Sequence, residues 1–157
     1  NSGAVRDPDV LTQGAERFGN QCIVISIDAA QERDTWYHYT HGGRNRTELE
    51  AVPWARECVE RGAGEVLLTS IDNDGVRTGY DLELTSAVAE VVTVPVIASG
   101  GAGSTNHLRD GLTRGGAQAV LLAGILHDGL TTVGELKRTL IEWGIPVRPV
   151  PLPGATA

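Results

Sequence analysis

The sequence predicts an α/β fold built on parallel strands, and two observations predict it. Four short apolar runs end abruptly in polar residues or glycine. Cys22–Ile27 ends in Asp28. Leu67-Leu68 ends in Thr69-Ser70-Ile71-Asp72-Asn73-Asp74-Gly75. Val94–Ala98 ends in Ser99-Gly100-Gly101-Ala102-Gly103, and Ala119–Ala123 ends in Gly124. Between these runs lie stretches with helical apolar spacing. Near-continuously apolar strands alternating with helices belong to a parallel sheet under helical cover. Such sheets carry their chemistry at the C-terminal strand ends, so four polar tips are also a functional signal.

The elements follow in order. Asp7 is placed as an N-cap with Pro8 at the first helical position; Val10, Leu11, Ala15 and Phe18 give that helix its apolar stripe. The first strand is expected over about 21–27. Trp36-Tyr37-His38-Tyr39-Thr40 alternates like a small hairpin and runs into Gly42-Gly43. A second helix is expected over about 53–61, stopped by Gly62 and Gly64. Strand two follows over about 65–70. Helix three begins near Asp81, with Leu84, Val88 and Val91 at helical spacing, and strand three covers about 94–99. Helix four, about 105–114, carries Leu108 and Leu112; strand four covers about 119–123. The last helix, about 133–143, places Val133, Leu136, Leu140 and Trp143 on one face before a proline-rich tail. No linker divides the chain.

At 157 residues the chain suffices for one domain with a core. No run reaches the ~18 apolar residues of a membrane helix. The first residues carry no signal-peptide pattern. The chain contains no methionine and reads as a piece of a longer protein or a processed product. Its net charge of −7 argues against nucleic acid as a partner. Phosphate ligands stay open, because backbone N–H groups bind them without basic side chains. Cys22, in a strand, and Cys58, in a helix, are isolated and expected to be buried free thiols; a cytoplasmic location is expected from that.

Three clusters carry candidate chemistry. Gly100, Gly101 and Gly103 sit between a strand and a helix, where they either cradle a phosphate or form a tight packing turn. Gly124 follows the next strand, where barrel enzymes complete such a site. Asp28 sits at a strand tip, suited to general acid–base work or to bracing a loop. Asp72 and Asp74 form a second pair, one of which caps the loop. His38, His41, His107 and His127 lack ligand spacing and are assigned surface or loop roles, so no metal is predicted. The Trp36–Tyr39 aromatics either bind a ligand or simply pack a hairpin.

Together these strings resemble a known family. Gly19-Asn20-Gln21-Cys22 through Ile27-Asp28-Ala29, Arg61-Gly62-Ala63-Gly64-Glu65-Val66-Leu67-Leu68-Thr69-Ser70-Ile71-Asp72, Asp74-Gly75, Gly79-Tyr80-Asp81 and Ile97-Ala98-Ser99-Gly100-Gly101-Ala102-Gly103 are similar to the cyclase subunits of imidazole glycerol phosphate synthase, from histidine biosynthesis. The resemblance implies a (β/α) half-barrel, strands five to eight of a TIM-type (β/α)8 barrel. Residues 1–148 would form its C-terminal half and 149–157 its tail. It implies a lyase that uses ammonia, delivered by a glutaminase subunit, to convert a phosphoribulosyl-formimino carboxamide ribonucleotide. The products would be imidazole glycerol phosphate and an aminoimidazole carboxamide ribonucleotide. No cofactor is implied.

By the same resemblance, Asp28 matches one of two catalytic aspartates; the other belongs to the first strand of the barrel. Asn1, Ser2, Thr69, Asp74, Gly75, Ser99 and Gly100 match substrate-contacting positions. Gly101, Ala102, Gly103 and Gly124 match a phosphate site, with Gly124 in place of a common serine. Glu65 matches a charged ring at the ammonia entrance. Ala30 replaces a common lysine. Two other readings are the sister isomerase of the same pathway, and a non-catalytic half-barrel that self-associates and binds phosphate. The half-barrel's partner would be an N-terminal half or a second copy of itself.

Overall fold

The computed structural model describes residues 1–149. The chain opens with α1 (Ser2–Arg6), α2 (Asp9–Phe18) and a 3₁₀ turn over Asn20–Cys22. β1 (Val24–Glu32), β2 (Thr35–Thr40) and β3 (Asn45–Glu50) follow as an antiparallel meander. Then come α3 (Ala51–Glu60), β4 (Glu65–Ser70), α4 (Leu82–Val91), β5 (Val96–Ser99), α5 (Thr105–Thr113), β6 (Ala119–Val120), α6 (Gly124–His127) and α7 (Val133–Glu142). The six strands form one sheet in the order β3-β2-β1-β4-β5-β6, in which β1, β4, β5 and β6 run parallel. The fold is α/β with a parallel sheet, compatible with a TIM-type barrel or part of one. Of the proline-rich tail expected over 149–157, residues 150–157 lie outside the described residues.

Several boundaries differ from those the sequence suggests, each for a physical reason. A short helix, α1, precedes the expected first one. Asp7 ends it, its N–H donating to the Gly3 carbonyl at 2.9 Å, so Asp7 is a C-cap rather than an N-cap. Cys22 lies in the 3₁₀ turn and is exposed, not buried in a strand. Cys58 is buried on α3, and burial pushes its thiol up to about 12. β1 does not stop at Asp28. Its pairing with β4 ends at Ala29, but β2 pairs with Asp28 through Glu32 from the other side and carries the strand onward. β6 is only two residues long: Gly100 and Gly101, which follow β5, turn out of the extended conformation at φ 90° and 101°, and the ladder stops there.

One face of the sheet carries the core. Ile25, Ile27 and Ala29 of β1, Val66 and Leu68 of β4 and Val96 of β5 pack on Trp54, Ala55 and Cys58 of α3 and on Leu84 and Val88 of α4. A second cluster joins Leu108 of α5, Ile125 of α6, and Leu136 and Leu140 of α7. Of the stripe expected on α7, Val133 and Trp143 remain exposed. The opposite sheet face carries Ser26, Asp28, Leu67, Thr69, Ile97 and Ser99, all only half-buried, and Val24, which is 51% exposed. Parallel sheets are normally covered on both faces.

His38 departs furthest from expectation. It is fully buried on β2, 6.4 Å from the Trp54 ring, and neither ring nitrogen has a hydrogen-bond partner among the described residues. Burial lowers its pKa from 6.5 to about 4. Between those values the unfolded chain takes up a proton that the folded chain refuses, so stability falls as pH drops through that window. The full contribution is present above about pH 6.5, and the loss approaches roughly 3 kcal/mol by pH 4 at ~1.4 kcal/mol per unit. Urea melts at pH 7 and pH 4.5 should show this loss. His38→Leu should remove most of it, and an equal pH dependence in that variant would refute the assignment.

Candidate active site

The parallel register builds the site. Asp28 of β1 lies beside Thr69 of β4, and Thr69 beside Ser99 of β5. In a parallel pair, residues in register share a face, so a carboxylate and two hydroxyls form a row across three strands on the half-buried face. That row is level with the C-terminal end of β4, although Asp28 itself is within β1. Asn1 reaches it from the N-terminus, its Nδ2 donating to Asp28 Oδ2 at 2.7 Å. Ser26, two residues below on the same face, donates to Asp28 Oδ1 at 3.4 Å. Burial raises the Asp28 pKa above the ordinary carboxylate value, against the hydrogen bonds from Ser26 and Asn1; the Asp74 charge adds to the rise. A carboxyl held partly desolvated and hydrogen-bonded in this way is suited to proton transfer.

Beside the row lies a cavity of about 130 Å³. Asp74, Gly75 and Arg77 of the β4–α4 loop, Ser99 at the end of β5, Gly100, Gly101 and Ala102 of the β5–α5 loop, and Leu121 to Gly124 after β6 line it. Ser99 therefore belongs to both row and cavity. Loop packing dictates Gly100 and Gly101. A Cβ on Gly101, at φ 101°, would lie 2.1 Å from the Gly79 carbonyl oxygen, and one on Gly100 2.5 Å from that of Ser70. The Gly79 N–H donates to the Gly101 carbonyl at 2.8 Å, and Asn73 Nδ2 donates to the Gly79 carbonyl at 2.8 Å. Gly101→Ala should consequently lower stability by at least ~1–3 kcal/mol through strain at a special φ and backbone collision. A thermal melt indistinguishable from the parent would contradict this.

The structure separates the remaining candidates. Gly103, expected among the phosphate-binding amides, does not line the cavity; its N–H donates to His107 Nδ1 at 3.1 Å. Of the acidic pair, Asp72 is the loop brace, accepting from the Gln31 N–H at 2.7 Å. The Ser2 hydroxyl accepts from the His41 N–H at 3.0 Å. Glu65 sits at the other end of β4, four residues before Thr69 and about 13 Å from it at strand rise. The aromatic segment packs: Trp36 donates to Asp81 Oδ2 at 3.1 Å, while Asp81 Oδ1 caps α4 at the Leu84 N–H. The Arg46 guanidinium stacks 3.9 Å from the Tyr37 ring centroid. Sequence reasoning missed Arg77. Its signal was a lone basic residue between Gly75 and Gly79 in an otherwise acidic and neutral loop.

Comparison with known proteins decides the family. The profile of the family described as "Histidine biosynthesis protein" matches residues 1–132. The chain belongs to the histidine biosynthesis protein family. Among curated members it is 66% identical over 148 residues to the imidazole glycerol phosphate synthase subunit HisF of Myxococcus xanthus, covering 94% of this chain and 58% of the relative. It is 52% identical over 153 residues to the protein of that name from Prochlorococcus marinus (strain NATL1A), covering 96% and 60% respectively. It is 53% identical over 152 residues to that of Synechocystis sp., covering 94% and 58%. The chain thus spans well under two thirds of the length of these family members. Its cavity-lining glycines and its Asp28–Thr69–Ser99 row all fall within the matched residues.

Proposed function

We propose that this chain is the C-terminal half of the cyclase subunit of imidazole glycerol phosphate synthase, strands five to eight of a (β/α)8 barrel over residues 1–148. In this reading an N-terminal half completes the barrel and the glutaminase supplies ammonia. Ammonia and the phosphoribulosyl-formimino ribonucleotide then give imidazole glycerol phosphate and the aminoimidazole carboxamide ribonucleotide. The observation that carries the reading is the half-buried sheet face. It bears the Asp28–Thr69–Ser99 row at one end and Glu65 at the other, with the glycine-lined cavity beside the row. Such a face supports the reading because the interior wall of a barrel carries inward side chains of this kind, and barrels of this type act at the C-terminal rim.

Each residue has a task. Asp28, with its raised pKa, exchanges the proton that ring closure requires, paired with an aspartate on the completing half. Asn1 orients that carboxyl through its Nδ2 contact. Thr69, Asp74, Gly75, Ser99 and Gly100 contact the substrate with hydroxyl, carboxylate and backbone groups. Gly101, Ala102 and Gly124 close on one phosphate, and Glu65 belongs to the ammonia entrance. The test is a cyclisation assay with ammonia on the completed barrel, run beside the isomerase substrate of the same pathway. Ammonia-dependent product is expected, with isomerase turnover lower by orders of magnitude. The reverse ranking would overturn the assignment in favour of the sister enzyme.

A further inference from the structure

Arg77 is the one basic side chain among the residues lining the cavity, and Asp74 places a carboxylate in the same wall. A phosphate entering beside that carboxylate, in a chain of net charge −7, is bound more tightly where a fixed cation joins the backbone N–H groups. Arg77 is held where it could serve. Its backbone is left-handed at φ 64°, uncommon for a residue other than glycine. Its Nη2 donates to Asp128 Oδ2, which ties the β4–α4 loop to the C-cap of α6. Both partners of this ion pair are substantially exposed, so the pair contributes little to stability on its own. A guanidinium carries five N–H donors. Asp128 takes one, and the others have no partner among the described residues.

Gly124 completes the observation. A Cβ there would lie 3.2 Å from Arg77 Nη2 and 3.4 Å from Nε. The guanidinium therefore fills the space into which a side chain at 124 would project. We propose that Arg77, steadied by Asp128, is the side-chain ligand of the phosphate group in this cavity, and that Gly124 leaves room for its guanidinium. The inference rests on the reading that this cavity takes the substrate's phosphate. It adds that a planar two-pronged donor reads the anion, a geometry that suits phosphate oxygens and that lysine does not reproduce.

The test titrates the 157-residue chain with inorganic phosphate at constant ionic strength, following the backbone amides and the Arg77 Nε–H signal by NMR. In the parent chain, the Gly101, Ala102 and Gly124 amides and the Arg77 Nε–H are expected to shift with one common affinity. Arg77→Gln should weaken binding by about 10-fold or more, as loss of a charge-assisted bond does. Asp128→Ala should stay within about 3-fold, because it removes the brace and not the ligand. Equal losses in the two variants would make Arg77 a loop latch and overturn the proposal. So would an unmoved Arg77 Nε–H signal while the cavity amides shift, a result that needs no variant to fold. If no cavity amide responds to phosphate, the reading of the cavity itself fails, and the inference with it.

Discussion

In a barrel completed with an N-terminal half, Asp28→Asn is expected to lower ammonia-dependent turnover by ~10²-fold or more, the usual contribution of a positioned acid–base group. The expectation comes from how the carboxyl is held. Burial raises its pKa, Ser26 and Asn1 contact its two oxygens, and Thr69 stands beside it in the row. Asparagine keeps the shape and a hydrogen-bonding group but cannot exchange the proton. KM should change little if Asp28 acts only on the chemical step. Because the pKa is raised, the pH profile of the parent should carry an inflection above the ordinary carboxylate range, and the variant should lose it. Turnover at the parent level in Asp28→Asn would remove Asp28 from the mechanism.

The second large effect concerns completeness. The chain alone is expected to show at most trace cyclisation, and adding an N-terminal half should raise turnover by at least ~10²-fold, since the partner aspartate is then supplied. The physical ground lies in the sheet. Among the described residues, Val24 to Ile27 of β1 pair only with β4, and β6 pairs only with β5. Unpaired strand edges invite another strand. Beyond them, the face bearing Leu67, Thr69 and Ile97 is only half-buried. A closed barrel pairs every edge and fills that interior with side chains. Full ammonia-dependent activity from the unaccompanied chain would contradict this account.

Much of the fold was legible because local and global signals agree. β4 coincides with the strand expected over 65–70, and Asp81 caps α4 as its position suggests. What escaped was set by contacts distant in sequence. β1 runs on to Glu32 because β2 turns back beside it, which no periodicity within 21–28 could show. His38 looked like a loop residue, but the meander presses it against Trp54. In the candidate site, the string Gly100-Gly101-Ala102-Gly103 marked a loop of which Gly100, Gly101 and Ala102 line the cavity and Gly103 does not. Loop packing explains Gly100 and Gly101, and His107 takes the Gly103 N–H. Arg77 stood out in the sequence only as a lone basic residue between Gly75 and Gly79. Its meaning comes from Gly124 and Asp128, which lie 47 and 51 residues away.

The central claim is that the half-buried sheet face is the wall of a barrel completed by another segment. Sedimentation velocity of the 157-residue chain at micromolar concentration tests it most directly, alone and with an N-terminal half added. Alone, the chain should sediment as a homodimer or larger species, since two copies related by a two-fold axis supply eight parallel strands and cover both open faces. With the added half, that species should give way to a one-to-one complex. A well-folded monomer that ignores the added half would contradict the claim.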